Sequence, residues 1–196
     1  WLAFLWLDPG LAPYHYRLVS EGGVDKFGKL GLDAWPDLAI SQHEVQVEGV
    51  DQPVAVAYVA RRDNPAPVML SWENRSGEPL VFVDGKLSEL TALASAITKH
   101  VPKDAAILAW WDTSRQIKLL TGYETVFLSH LGEPFIMPSL WRTKRGAIEK
   151  YERSFWGAPA SAEERQKVQR FADAWVADPK EGVARLREVT GGREAY

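Results

Sequence analysis

The chain has 196 residues, a formal net charge of −3, 46% hydrophobic and 25% charged residues, and no cysteine. That composition suits a globular protein able to bury a core, provides no global basic field to draw nucleic acid, and excludes disulfides, zinc–thiolate sites, iron–sulfur ligation and covalent c-type haem. The nine tryptophans select no function by themselves, since such rings fill cores, line binding faces or sit at membrane interfaces.

The first segment, WLAFLWL, is apolar and stops at Asp8-Pro9-Gly10. A bilayer span needs about 20 residues, so this run is too short to cross. We read residues 1–12 as the end of a single N-terminal membrane anchor, with Trp1 and Trp6 near the interface and Pro9-Gly10 ending its helix. The alternative is a short buried strand. The absence of an initiating Met implies residues upstream.

Residues 13–196 read as one α/β domain, strand-rich over 13–85 and α/β to helical over 86–196. YHYRLV, from Tyr14, alternates, and HEVQVEGV sets Val45, Val47 and Val50 against polar neighbours. PVAVAYVARR and PVMLSWENR are β-rich and bounded by the turn signals Asp51-Gln52-Pro53 and Asp63-Asn64-Pro65-Ala66-Pro67. NRSGEP then joins Ser71–Glu73 to LVFVDG as a hairpin. Short links between successive strands predict antiparallel pairing. Glu21 to Pro36, with four glycines, reads as loop or short helix.

After Gly85 the period changes. Leu90, Leu93, Ala94, Ile97 and Val101 recur at helical spacing, and Pro102 ends that helix. AAILAWW is a continuous apolar run, as in a strand covered on both faces. Asp112 is placed to N-cap the helix TSRQIKLLT, Gly122 suits its left-handed C-terminal position, and ETVFLSH reads as the next strand. Helix–strand–helix–strand order predicts a βαβ unit with parallel strands. TKRGAIEKYERSFWG reads as a helix, and WRTKRGAIEKYERSFW, whose basic and aromatic residues are interrupted by Glu149 and Glu152, reads as a solvated face rather than a nucleic-acid surface. In the following helix Val168, Phe171, Ala172, Trp175 and Val176 form a core stripe, started by a Ser161/Glu164 capping box. PKEGVARLREVT begins with Pro179 in the first turn and stops at Gly191-Gly192, after which REAY reads as another strand.

Ligands of open α/β sheets bind outside the carboxyl ends of parallel strands. With strands ending at Trp111 and Ser129, the candidate site is Trp110, Trp111, Asp112, Thr113, Arg115, Ser129 and His130, for a ligand or a partner. The start of the helix would favour an anion there. The plainer alternative is that Asp112 caps, the two tryptophans pack and Arg115 is solvated or pairs with Asp112. No catalytic residue emerges. Ser129 and His130 are adjacent, so on a strand they point to opposite faces, and no Gly-x-Ser-x-Gly elbow is present. His15, His43, His100 and His130 lack metal-ligand spacing, so no metal and no cofactor is expected. GVDKFGKLG lacks phosphate-loop spacing.

Two resemblances follow from these motifs. PKDAAILAWWD, Pro102 to Asp112, resembles the Trp-Trp-Asp region of oligosaccharyltransferase catalytic subunits. Thr113 and Ser114 stand where that motif has Tyr and Gly, and the acidic, metal-binding membrane domain of those enzymes has no counterpart, so the likeness implies a related strand-to-helix corner and not the reaction. Over APVMLSWENRSGEPLVFVDGKLSELTALASAI, ILAWWDTSRQIKLLTG and SHLGEP the chain is similar to HaoB, the hydroxylamine oxidation protein found beside the multihaem hydroxylamine oxidoreductase of ammonia and methane oxidisers. That resemblance implies an apolar N-terminal anchor, an exported α/β domain at the periplasmic face of the inner membrane, and a multihaem hydroxylamine oxidoreductase as partner.

The expectation is therefore a membrane-anchored periplasmic accessory or assembly protein, non-catalytic by itself, working through the strand-end edge with Trp141 or Trp156 as partner contacts. The alternative is a small-molecule binder or enzyme using Asp112 and Arg115. A closed pocket holding those two residues would favour the binder; a flat exposed aromatic patch would favour the interaction module.

Overall fold

A computed structural model describes residues 10–63, 66–77, 86–132, 134 and 136–196. The apolar run 1–7 and the second half of the NRSGEP–LVFVDG hairpin lie outside the described residues. The chain forms two compact units. One holds the described residues of Trp1–Leu87 with Gly132–Gly157; the other holds Ser88–Leu131 with Ala158–Tyr196.

The first unit is a four-stranded antiparallel meander, β1 (Tyr14–Gly22), β2 (Ala39–Val47), β3 (Ala55–Arg61) and β4 (Val68–Asn74), in that spatial order. The four strands expected within the described residues are found and pair antiparallel; the LVFVDG strand lies outside those residues. Tyr14 faces Val47, Val45 faces Ala55 and Ala57 faces Trp72. Register slips at Val19 and at Leu70, each an extra residue opposite a shorter partner, which bends the strand locally. The 21–36 stretch contains a 3₁₀ turn, Val24–Leu30.

β3 is buried from Ala55 to Ala60 because both of its faces are covered. On one, Phe27 of the 3₁₀ turn meets Tyr58 edge-on, and Lys29 Nζ donates to the Tyr58 hydroxyl at 2.6 Å. On the other, Ala55, Ala57 and Val59 join Tyr14, Tyr16, Val45 and Trp72 in a core completed by Ile148 and Trp156. These last two belong to α3 (Arg145–Trp156), which follows a second 3₁₀ turn, Ser139–Lys144. Small side chains at mid-sheet leave room for the helix, and the aromatics on β1 and β4 flank it.

The second unit contains α1 (Leu87–His100), β5 (Ala106–Ile107), α2 (Trp111–Thr121), β6 (Glu124–Thr125), α4 (Ala162–Ala174) and α5 (Pro179–Val189). α1 buries Leu90, Ala94 and Ile97 and leaves Leu93 exposed. β5 and β6 pair in parallel, Ala106 with Glu124 and Ile107 with Thr125, as the βαβ reading requires. REAY also behaves as a strand. Ala195 bridges Ala106 in parallel, Leu108 N–H donates to the Tyr196 carbonyl at 2.8 Å, and Tyr196 N–H donates to the Ala106 carbonyl at 3.0 Å.

Three differences from the sequence reading bear on the site. The strand expected over 105–111 spans only Ala106–Ile107, and Trp111 is already helical. The strand expected over 124–130 ends at Thr125. The solvated-face reading of the 143–157 helix is also corrected, since α3 buries Ala147, Ile148, Glu152 and Trp156. Among the described residues no helix is long and apolar enough to cross a membrane.

Candidate functional site

β5 is the middle strand of the small parallel sheet, with β6 on one side and 194–196 on the other. The chain leaves β5 toward one neighbour through α2 and later returns to its opposite side. The carboxyl end of β5 is thus a topological switch point, the position at which open α/β sheets present ligands or surfaces. Trp110, Trp111, Asp112 and Thr113 stand there because only residues 108–110 separate the end of β5 from the start of α2.

The local geometry differs from an Asp-capped helix. Trp110, in an extended conformation, is the N-cap and supplies no side-chain acceptor. Asp112 lies inside the first turn, where its carboxylate accepts the Thr113 N–H at 2.7 Å. It still satisfies one of the orphan amides and complements the positive end of the helix dipole. Ser114 Oγ donates to the Ala109 carbonyl at 3.0 Å and binds the turn to the strand end. Trp111 is drawn into the helix by packing on the cluster of Phe127, Phe171 and Val189. At the far end Gly122 takes φ 74° and donates to the Lys118 carbonyl.

Arg115 is buried, and that burial pulls its pKa down to about 10, while the Asp112 carboxylate acts to hold it up. The guanidinium therefore stays charged at neutral pH. Asp112 itself is exposed. Ser129 and His130 are tied to the start of α4. Ser129 Oγ donates to Glu164 Oε2 at 3.1 Å, and the His130 carbonyl accepts the Ala160 N–H at 2.6 Å. Glu164 also closes the expected capping box with Ser161.

The face around Trp110 is aromatic. Its ring meets Phe171 edge-on at 5.2 Å, and Phe171 meets Trp175 edge-on at 6.0 Å. Phe171 is buried, Trp110 is half-exposed, Trp175 is 69% exposed and Val176 86%. The core stripe read through 168–176 is corrected here. α4 ends at Ala174, Trp175 is its C-cap, and Asp178 caps α5 through the Lys180 and Glu181 amides. The Asp178-Pro179 start signal requires a turn just before it, and that signal would have removed 175 and 176 from the stripe.

The cleft between α4 and α5, about 380 Å³, is lined by Arg170, Asp173, Glu181, Ala184, Arg185 and Glu188. Its charges pair with one another, Arg170 with Glu188 at 3.6 Å and Arg185 with Glu181 at 2.5 Å and Asp173 at 3.9 Å. Neither Asp112 nor Arg115 lines it. Among the described residues no group of three or more His, Asp or Glu side chains could hold a metal ion.

The first unit holds a buried polar cluster that the sequence reading missed. Glu152, 2% exposed, accepts the Tyr14 hydroxyl and, at 2.9 Å, the Tyr16 hydroxyl. The Tyr16 N–H donates to the Tyr151 hydroxyl at 2.6 Å. Burial raises the Glu152 pKa, opposed by the hydrogen bonds from Tyr14, Tyr16 and Trp156; burial and Glu152 together raise both tyrosines. Glu152 stands four residues after Ile148 and four before Trp156, on the helix's apolar stripe, and that spacing is the signal that marks it. Trp156 is fully buried in this core and is not a surface contact; Trp141 is half-buried, stacked on Tyr14 at 5.7 Å.

No curated protein and no solved structure matches the chain. A family model described as HaoA-associated protein HaoB matches residues 1–196, the whole chain.

Proposed function

Because the chain belongs to the family of the HaoA-associated protein HaoB, we propose that it is an accessory or assembly partner of HaoA, the hydroxylamine oxidoreductase, and is non-catalytic by itself. In this reading residues 1–12 end a membrane anchor, the rest lies at the periplasmic face of the inner membrane, and the multihaem enzyme docks on the second unit. The observation that carries the docking surface is the aromatic patch of Trp110 and Trp175 over Phe171, extended by Val176. Exposed indoles are frequent energetic anchors of interfaces. The patch adjoins the switch-point turn carrying the exposed Asp112, so aromatic and charged recognition share one unit.

The test is gentle detergent extraction of the full-length protein from its native cells, followed by affinity purification and detection of haem and of the oxidoreductase polypeptide. Co-elution with the wild type, lost with Trp175→Glu or Val176→Asp while the fold is retained, is the expected result. Reproducible absence of the oxidoreductase from the wild-type eluate overturns the reading. A small-molecule binder would need a pocket around Asp112 and Arg115, and the charged cleft of this unit lies elsewhere.

A further inference from the structure

The end of the first unit where β1 begins carries apolar side chains that the docking patch does not use. Leu11 is 90% exposed, Leu140 is 88% exposed, and Val50 at the β2–β3 turn is also exposed. Single exposed apolar residues need no explanation, but these share a location. Pro13 accepts the Glu48 N–H through its carbonyl at 2.9 Å, and the Glu48 carboxylate pairs with Lys144 Nζ at 3.2 Å. Trp141, next to Leu140, stacks on Tyr14. The 3₁₀ turn 139–144 and the β2–β3 turn therefore flank the point where the chain enters β1.

The sequence immediately before that point is the uncharged run WLAFLWL. Leu7 and Pro13 are six residue steps apart, and an extended chain covers at most about 3.3–3.6 Å per residue. An anchor ending at Leu7 would hold the start of β1 within roughly 20 Å of the membrane surface. The side chains at that end suit such a neighbour. Leucines enter the headgroup–acyl boundary, an indole favours the headgroup level, and an arginine fork matches a lipid phosphate. Arg142 supplies that fork, while Lys144 and Arg145 are engaged by Glu48 and Glu149.

We propose that this end of the first unit, presenting Leu11, Val50, Leu140, Trp141 and Arg142, rests on the surface of a phospholipid bilayer. The proposal depends on the anchor reading of residues 1–12 and adds to it a specific face. It fixes which end of the sheet meets the lipid and leaves the Gly22–Ala39 end in water, about 30 Å away along a nine-residue strand.

The absence of cysteine makes the test direct. Leu140→Cys and, in the segment leading into Ala39, Asp33→Cys each place one thiol in residues 1–196 for a nitroxide label. Accessibility to oxygen and to a water-soluble nickel chelate is then measured with the protein in buffer and bound to vesicles of phosphatidylcholine and phosphatidylglycerol at three to one. The expected result is that vesicles raise oxygen access and lower nickel access at position 140 and change neither at 33. Arg142→Glu is expected to shrink the change at 140.

Three results overturn the proposal and are separable. If the chain binds vesicles while position 140 stays as aqueous as 33, the face is wrong and the anchor survives. If the chain binds no vesicles, the anchor reading fails with it. If position 140 is already shielded in buffer, its own N-terminal segment or a second copy covers the patch.

Discussion

The Glu152 carboxylate on α3 accepts the Tyr16 hydroxyl of β1 at 2.9 Å, across 136 residues of sequence and inside the core. Tyr14 donates to the same oxygen. One acid thus fixes the helix on the edge strand.

Removing it should cost more than its own interactions. Glu152→Ala leaves two buried hydroxyls without their acceptor and opens a cavity, for an expected loss of about 3–5 kcal/mol. Glu152→Gln keeps a carbonyl oxygen for the tyrosines and should lose about 1–2 kcal/mol. Urea midpoints at constant m-value check both, and equal stability of Ala and Gln variants would show that the hydroxyls find other partners.

The same acid gives a pH dependence whose sign is fixed. Burial raises the folded-state pKa of Glu152 above the ordinary 4.5, so between that value and the raised one the folded state holds more protons than the unfolded state. Its contribution is full below about pH 4.5 and declines as pH rises through the folded pKa. The stability difference between wild type and Glu152→Gln should therefore shift against the wild type from pH 4.5 upward. A difference that moved the other way, or stayed constant across pH 4–8, would contradict a raised pKa.

The aromatic patch should separate fold from docking. Phe171 is buried among Phe127, Val189, Val168 and Leu186, so Phe171→Ala should cost about 3–5 kcal/mol. Trp175, mostly exposed, should tolerate Ala within about 0.5 kcal/mol while losing affinity for the oxidoreductase. Thermal melts and co-elution, read side by side, test the split; a Trp175→Ala protein as unstable as Phe171→Ala would make the patch a core feature.

Much of this architecture is legible in local sequence because its signals are local. Asp51-Gln52-Pro53 marks the turn between β2 and β3, Ser161/Glu164 the start of α4, and Pro179 the start of α5. What was not legible depends on distant partners. AAILAWW has the composition of a long strand, but it pairs only briefly with 124–125 and with 194–196, and the cluster of Phe127, Phe171 and Val189 draws Trp111 into a helix. The parallel pairing of β5 and β6 is legible because it needs only the order of elements. The aromatic patch was partly missed because Trp175 carries the same side chain whether its helix continues or stops.

Asp112 tests whether the switch-point turn belongs to the working surface. Its carboxylate serves one exposed amide of α2 and supports the buried Arg115, so Asp112→Asn should cost only about 0.5–1 kcal/mol of stability. Affinity for the oxidoreductase should fall further than that, measured by titration of the purified partners. Unchanged affinity would remove Asp112 from the interface and leave the indoles alone as its anchors.

Gly182 reports on how α5 seats against the end of α4. A Cβ at this position would lie 2.7 Å from the Ala174 carbonyl oxygen, closer than real contacts allow, and the obstacle is backbone that cannot rotate away. Helix propensity alone favours Gly→Ala by roughly 1 kcal/mol. The clash should reverse that sign, giving Gly182→Ala a net loss of about 1–3 kcal/mol. Since Ala174 ends α4 immediately before Trp175, the forced shift should also displace the patch and weaken co-elution of the oxidoreductase. A Gly182→Ala protein that is stabilised would mean that α5 moves freely on α4, and that the position of Trp175 is not set by this contact.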